Sequence, residues 1–162
     1  MKSFEALTNA PVDEEECAAL LMDVVPLVMR SIRAEMRRHR ADLSVPQFRT
    51  LAFLRKHEGA SLSQVADHLG LMLPSVSKMV DGLVARGLLT RKDSSADRRY
   101  VALALTARGR SALASARKAT QLHLAQILRA LPQDERPSVV RAMEALRPVF
   151  AAEREAARER ER

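Results

Sequence analysis

Two helix-start boxes set close together do most to limit what this chain can become. Ser44-Val45-Pro46-Gln47 and Ser61-Leu62-Ser63-Gln64 each place a Ser three residues before a Gln. The Ser oxygen accepts from the backbone N–H three residues on while the Gln side chain reaches back to the Ser N–H, so each box marks a helix start. Gly59 precedes the second box and Gly70 follows it. The spacing therefore predicts one helix through Phe48, Leu51, Leu54 and Arg55, and a short one over Val65-Ala66-Asp67-His68-Leu69. Pro74 then sits where a first helical turn tolerates it, and Val76, Met79, Val80, Leu83 and Val84 share one face of a helix that stops at Gly87. A short capped helix, a Gly-containing turn and a second amphipathic helix are the sequence form of a helix-turn-helix.

The hydrophobic period changes directly afterwards. Val101, Leu103 and Leu105 alternate with Tyr100, Ala102 and Ala104, which predicts a half-buried strand. Leu88-Leu89-Thr90-Arg91-Lys92 is its antiparallel partner, with turn material from Asp93 to Asp97 between them. A strand pair straight after the second helix is the layout of a winged helix. Thr106 is placed to cap a long helix carrying Leu113, Leu124, Ile127, Leu128 and Leu131. Upstream, Asp13-Glu14-Glu15-Glu16 puts negative charge at a helix start. Leu20, Leu21, Val24, Val25, Val28, Met29, Ile32 and Met36 follow at helical spacing, with Pro26 calling for a kink or a restart. Downstream, Val139, Val140, Met143 and Leu146 mark another helix that Pro148 bends or ends. The predicted fold class is mainly α with a small β-wing. A winged helix-turn-helix domain over 44–106 lies between an N-terminal dimerisation helix region, 1–43, and C-terminal dimerisation helices with a charged tail, 107–162. The flanking stripes are too long for a lone winged domain to cover, hence the dimer.

Charge and composition narrow the partner. The 162 residues carry a formal charge of +7, which favours a polyanion, nucleic acid first and an acidic membrane surface second. Aromatics are 3% with no Trp, so the stacking platforms of single-strand binders have little to build with, and duplex DNA is the better fit. No run approaches a membrane span, the start lacks the apolar stretch of a signal peptide, and the one cysteine suits a reducing cytosol, so a cytoplasmic protein with no membrane partner is expected. Opposite the apolar stripe of the second helix lie Pro74, Ser77, Lys78 and Asp81, with Ser75 at the edge. Short side chains there let the helix approach base edges, and Lys78 can donate to guanine acceptors or to phosphate. Arg98 and Arg99 flank the hairpin tip, where a strand pair can deliver an arginine into a narrow minor groove; Asp97 either orients one of them or is a turn residue only.

Four stretches carry a resemblance: Gln64 to Gly70, Pro74 to Leu83, Arg86-Gly87-Leu88-Leu89, and Asp97 to Gly109. Together they resemble the MarR family of bacterial transcription regulators, and the specific part is Asp-x-Arg in the hairpin combined with Thr-x-x-Gly opening the next helix. The resemblance is sharp from Ser44 to Gly109 and diffuse but length-consistent outside. It implies a homodimer with intertwined terminal helices, two winged domains reading a palindrome, and repression (occasionally activation) relieved by a small ligand or an oxidant. It carries Ser75, Ser77 and Lys78 over as major-groove residues, and Arg99 as the minor-groove residue with Arg98 beside it and Asp97 orienting it. Met72 departs from the pattern, standing where the family usually has a Ser or Thr cap.

Other residues offer competing signals. Cys17 is a candidate redox sensor, because one branch of the family senses hydroperoxides through a cysteine near the start of its first helix. That chemistry needs a thiolate; the helix start favours it, Glu14, Glu15 and Glu16 oppose it, and Tyr100 is the only Tyr where that branch uses several. The plainer reading of Cys17 is a small buried hydrophobe. His39, His57, His68 and His123 form no i, i+4 pair and no Cys–His cluster, so no metal and no cofactor is expected. The methionines at 22, 29, 36, 72, 79 and 143 read as core filler or as lining of a plastic pocket between wing and dimer helices. The Arg37, Arg38, Arg40 group is either an attractor for an anionic ligand or a solvated helix end. No nucleophile–base pair, Gly-rich phosphate loop or supported carboxylate pair marks an enzyme. The expectation is a double-stranded-DNA regulator, a repressor on a pseudo-palindromic operator, released by a small-molecule effector. Its rivals are the Cys17 oxidant sensor and a helical adaptor that binds protein through its long ends.

Overall fold

The computed structural model describes residues 13–38, 43–93 and 101–160. Six helices and one strand pair follow in chain order: α1 (Glu14–Arg38), α2 (Val45–Lys56), α3 (Leu62–Leu69), α4 (Leu73–Ala85), β1 (Leu89–Asp93), β2 (Val101–Leu105), α5 (Ala107–Ile127) and α6 (Arg136–Arg160), with a 3-10 turn at Leu128–Ala130. The fold is mainly α with one antiparallel β pair, as the period change in the sequence predicts. No helix among the described residues is long and apolar enough to cross a membrane.

Local chemistry sets the middle of the chain. Both Ser-Gln boxes close: the Gln47 N–H donates to Ser44 Oγ at 3.4 Å and the Ser44 N–H to Gln47 Oε1 at 2.9 Å. Ser61 and Gln64 repeat this at 3.3 and 2.9 Å. α3 ends on Gly70 at φ +66°, a left-handed conformation that β-carbons disfavour and that turns the chain toward α4. The helices then bury Leu51, Leu54, Val65, Val76, Val80 and Leu83 against Leu89 and Leu103 of the strands, with all of these side chains closed to solvent. Among the described residues Thr50 is the one polar side chain buried; its hydroxyl donates to the Pro46 carbonyl at 2.9 Å, so its burial leaves no orphan donor.

Several details differ from expectation. β1 begins at Leu89 rather than Leu88, because the Leu88 backbone is used elsewhere: its N–H donates to the Leu83 carbonyl at 2.9 Å and its carbonyl accepts from the Thr106 N–H at 3.2 Å. The other edge of β2 is occupied as well. Leu103 accepts from the Gly59 N–H and donates to the Ala60 carbonyl, both at 3.0 Å, so the α2–α3 connection forms a third rung. α1 runs on through Pro26 and α6 through Pro148, so of the expected alternatives the restart and the helix end are excluded. For Pro26 the carbonyl that loses its donor belongs to Met22, whose side chain is 77% exposed, so water can replace the missing bond. Cys17 is exposed, which removes the buried-hydrophobe reading.

The ends of the chain are built differently from its middle. α1 packs on α5, but Met36 is its only buried residue, while Leu20, Val24, Val25, Leu27 and Val28 lie open. Along α6, Val139, Val140, Met143, Val149 and Phe150 are exposed too.

Candidate nucleic-acid interface

α4 supplies the face that matters. Val76, Val80 and Leu83 are fully buried and Met79 and Val84 pack partly against the same core, which fixes the rotation of the helix. Pro74, Ser75, Lys78 and Asp81 are therefore exposed. Ser77 is only half-exposed: at about 100° per residue it sits a quarter-turn from Val76, on the flank of the helix rather than at its outer centre. Ser75 lies on the opposite flank but in the first turn, clear of the core.

The N-terminus of α4 lacks a side-chain cap. Met72 occupies the cap position, and only its carbonyl is engaged, by the Ser75 and Val76 N–H groups at 3.0 and 3.2 Å. Pro74 has no N–H and the Ser75 N–H is engaged, so the Leu73 N–H is the first-turn donor that faces solvent or an incoming phosphate oxygen.

The strand pair stands beside this helix and is tied to it. Asp81 on the outer face of α4 pairs with Arg91 on β1. At the base of the wing, the Thr106 hydroxyl donates to the Gly87 carbonyl at 2.7 Å and accepts from the Gly109 N–H at 2.9 Å, so one side chain joins the end of the α4 turn to the start of α5. The ladder runs from Leu89 paired with Leu105 to Asp93 paired with Val101. Asp97, Arg98 and Arg99 lie in the connection between these strands, outside the described residues.

Two contacts had no signal in the sequence. The Phe53 ring is flanked by the His57 ring at 4.6 Å and the His68 ring at 4.3 Å, so residues from α2, its cap and α3 meet in one stack. On α5, His123 accepts from or donates to Ser31 Oγ at 3.0 Å and lies 3.6 Å from a Glu35 carboxylate oxygen, joining α5 to α1. Neither is a metal centre: among the described residues no group of three or more His, Cys, Asp and Glu side chains converges.

A cavity of about 580 Å³ opens between α1, α2 and α5. Met29, Ile32 and Met36 line it from α1, Phe48 and Arg49 from α2, and Arg117, Gln121 and Leu124 from α5. Among the described methionines, Met29 and Met36 reach this cavity, while Met22, Met72 and Met143 are exposed and Met79 packs on the core.

Comparison with known proteins agrees with this geometry. Residues 41–99 match the sequence profile described as MarR family. A regulator of Bacillus subtilis, the HTH-type transcriptional regulator YfiV, is 28% identical over 105 residues, covering 65% of this chain and 66% of that protein, just under two thirds of its length. Among solved structures, RV1404 from Mycobacterium tuberculosis superposes with a TM-score of 0.75 at 27% identity, over 88% of this chain and 97% of that one. The transcriptional repressor CouR, solved bound to a 23-mer DNA duplex, gives 0.65 at 26% identity over 85% and 99%. The apo form of MarR from E. coli, at 19% identity and a TM-score of 0.70 over 85% and 98%, shares the fold.

Proposed function

Because the chain belongs to the MarR family, we propose that it is a cytoplasmic, sequence-specific DNA-binding repressor without catalytic activity, acting as a homodimer on a pseudo-palindromic operator. The observation that carries this is the pairing of an exposed α4 face with an adjacent, anchored strand pair. Pro74, Ser75, Ser77 and Lys78 enter the major groove, with Ser77 contacting from the flank. Arg99 enters the minor groove, with Arg98 beside it and Asp97 orienting it. Residues 44–106 form the DNA-binding unit, and the segments 1–43 and 107–162 hold the dimer together. The solved complex of CouR with a duplex supports the partner class. Lys and Arg contacts to phosphate supply most of the affinity, and the α4 side chains supply selectivity.

Release by a small-molecule effector has the cavity between α1, α2 and α5 in its favour: it is large enough for a drug-sized ligand and mostly apolar. Oxidant sensing through Cys17 has its exposure and its place in the first turn of α1 in its favour, and Glu14, Glu15 and Glu16 directly before the thiol against it. A thiol titration after mild peroxide, with DNA release followed alongside, separates the two.

The deciding experiment selects sites from random duplex DNA and footprints the winner across a salt series. Two protected half-sites about 34–36 Å apart are expected, with log affinity falling by roughly 0.9 per neutralised phosphate against log salt. Arg99→Ala is expected to cost about 1–3 kcal/mol and to relax preference at A·T positions. A sequence-blind wild type, or an Arg99→Ala protein with an unchanged site profile, rejects the reading in favour of a protein-binding adaptor.

A further inference from the structure

Resting on the reading of α4 as the helix that meets DNA, we propose that the run Leu71-Met72-Leu73 reads thymine through its 5-methyl group, with Met72 making the contact. Between positions 43 and 121, these three are the exposed large apolar side chains among the described residues. The winged domain thus covers its other large apolar residues and leaves this turn open. The three are consecutive, Met72 is the most exposed of them, and Pro74, next in the chain, is exposed as well. An unbroken apolar run on an otherwise covered surface marks a contact site.

Its position says what the contact is. Three side chains fall far short of the roughly 20–30 residues that a stable protein interface takes from each partner. The run is instead continuous with Pro74, Ser75 and Lys78, the exposed face of α4, where the lysine suits a polyanion. Residues at the N-terminal end of a recognition helix are the ones that reach base edges. A phosphate has nothing to gain from a Leu or Met side chain, which carries no donor. The major groove offers one apolar group on its base edges, the 5-methyl of thymine.

Met72 is suited to that group. Its side chain makes no bond at the cap position, so it is free to lean into the groove. An unbranched side chain with a polarisable sulfur follows the place of a methyl group more readily than a branched one. Leu71 and Leu73 supply an apolar rim on either side in the chain. The start of α4 therefore reads by apolar contact, whereas Ser75, Ser77 and Lys78 further along read by hydrogen bonds.

The test uses the full chain and the duplex returned by selection from random sites. Each thymine is replaced in turn, in both half-sites, by deoxyuridine, which deletes the 5-methyl and keeps every hydrogen-bonding group. At one thymine of each half-site the wild type is expected to lose about fourfold in affinity, the weight of one methyl group returned to water. When cytosine stands at that position, 5-methylcytosine is expected to bind more tightly by the same factor. Met72→Ala, which removes a side chain that neither caps nor is buried, is expected to keep the wild-type urea midpoint and to bind the thymine and uracil duplexes equally. A wild type indifferent to uracil at every thymine overturns the proposal and leaves α4 as the DNA-reading helix, whereas failure to select any site removes both readings. A Met72→Ala protein that still discriminates uracil gives the methyl contact to another residue. One that sediments as a smaller species than the wild type gives the run to a second copy of the chain, and either result overturns the proposal.

Discussion

A methyl group on Gly109 would stand 2.0 Å from the Leu88 carbonyl oxygen, closer than any real contact. The cause is the clamp at the base of the wing. Thr106 bonds the Gly87 carbonyl with its hydroxyl and the Leu88 carbonyl with its N–H, drawing the first turn of α5 onto the backbone that enters β1. Gly109→Ala must push these segments apart, and a loss of about 1–3 kcal/mol is expected, the usual cost of forcing atoms into a filled site. Gly82 is the matched control, a helical glycine in α4 with nothing within 4 Å of an added Cβ. There the substitution to Ala is expected to gain about 0.5–1 kcal/mol through helix propensity alone. Urea midpoints moving in opposite directions check the pair, and midpoints that rise together would remove the clamp. The Thr-x-x-Gly spacing was plain in the sequence, but its reason was not, because a glycine in a first helical turn announces nothing about the carbonyl that crosses it. Ser77 shows the same limit: the helical period placed it outside the core without saying how far its neighbours cover it.

At the scale of elements, α4 combines a well-fixed inner face with a weak start. Met72 contributes no side-chain bond at the cap position and its side chain is 77% exposed. Met72→Ser is expected to add about 1 kcal/mol, raising the thermal midpoint by about 2–4 °C, and differential scanning calorimetry reads it. An unchanged midpoint would mean that the Met72 carbonyl already serves the Ser75 N–H, the donor a serine cap would take. The link between α4 and β1 makes a different prediction. Asp81 and Arg91 are both exposed, so their pairing contributes little to stability. It does hold one cation of the wing and places one carboxylate on the face proposed to meet DNA. Asp81→Asn is expected to free Arg91 for phosphate, strengthening non-specific DNA binding and steepening its salt slope by about 1; an unchanged slope would place Arg91 away from the duplex. The element boundaries were legible where they depend on neighbours in sequence, as with Ser44, Ser61 and Gly70, whose caps close within a few residues. The third rung from Gly59 and Ala60 to Leu103 and the stacking of His68 on Phe53 join distant segments, and no local pattern encodes them.

At the scale of the molecule, the winged core closes without residues from α6. Leu51, Leu54, Val65, Val76, Val80, Leu83, Leu89 and Leu103 are closed to solvent, and Leu113 and Ala116 of α5 complete the same cluster. The apolar residues of α1 and α6 have no such cover: Leu20, Leu27 and Val149 are 58%, 54% and 62% exposed, and Val140 is 54% exposed. A monomer seldom leaves that much apolar surface in water, and the proposed dimer would cover both helices at once through a self-complementary interface. The sequence showed these stripes by their period; their exposure could be learned only from the way the chain folds around its own middle. A charge on α6 then separates association from folding. In a two-fold interface Val140→Asp appears twice, and burying each unpaired carboxyl group costs about 1–3 kcal/mol, so the dimer dissociation constant is expected to rise by at least about thirtyfold. Sedimentation velocity over a concentration series reads the shift, and circular dichroism should report nearly unchanged helix content because the core residues are untouched. The monomeric variant has one winged domain to offer, so it is expected to protect a single half-site with about half the wild-type salt slope. A Val140→Asp protein that sediments as the wild type at every concentration would take α6 out of the interface and leave the exposed face of α1 as the surface that joins the two copies.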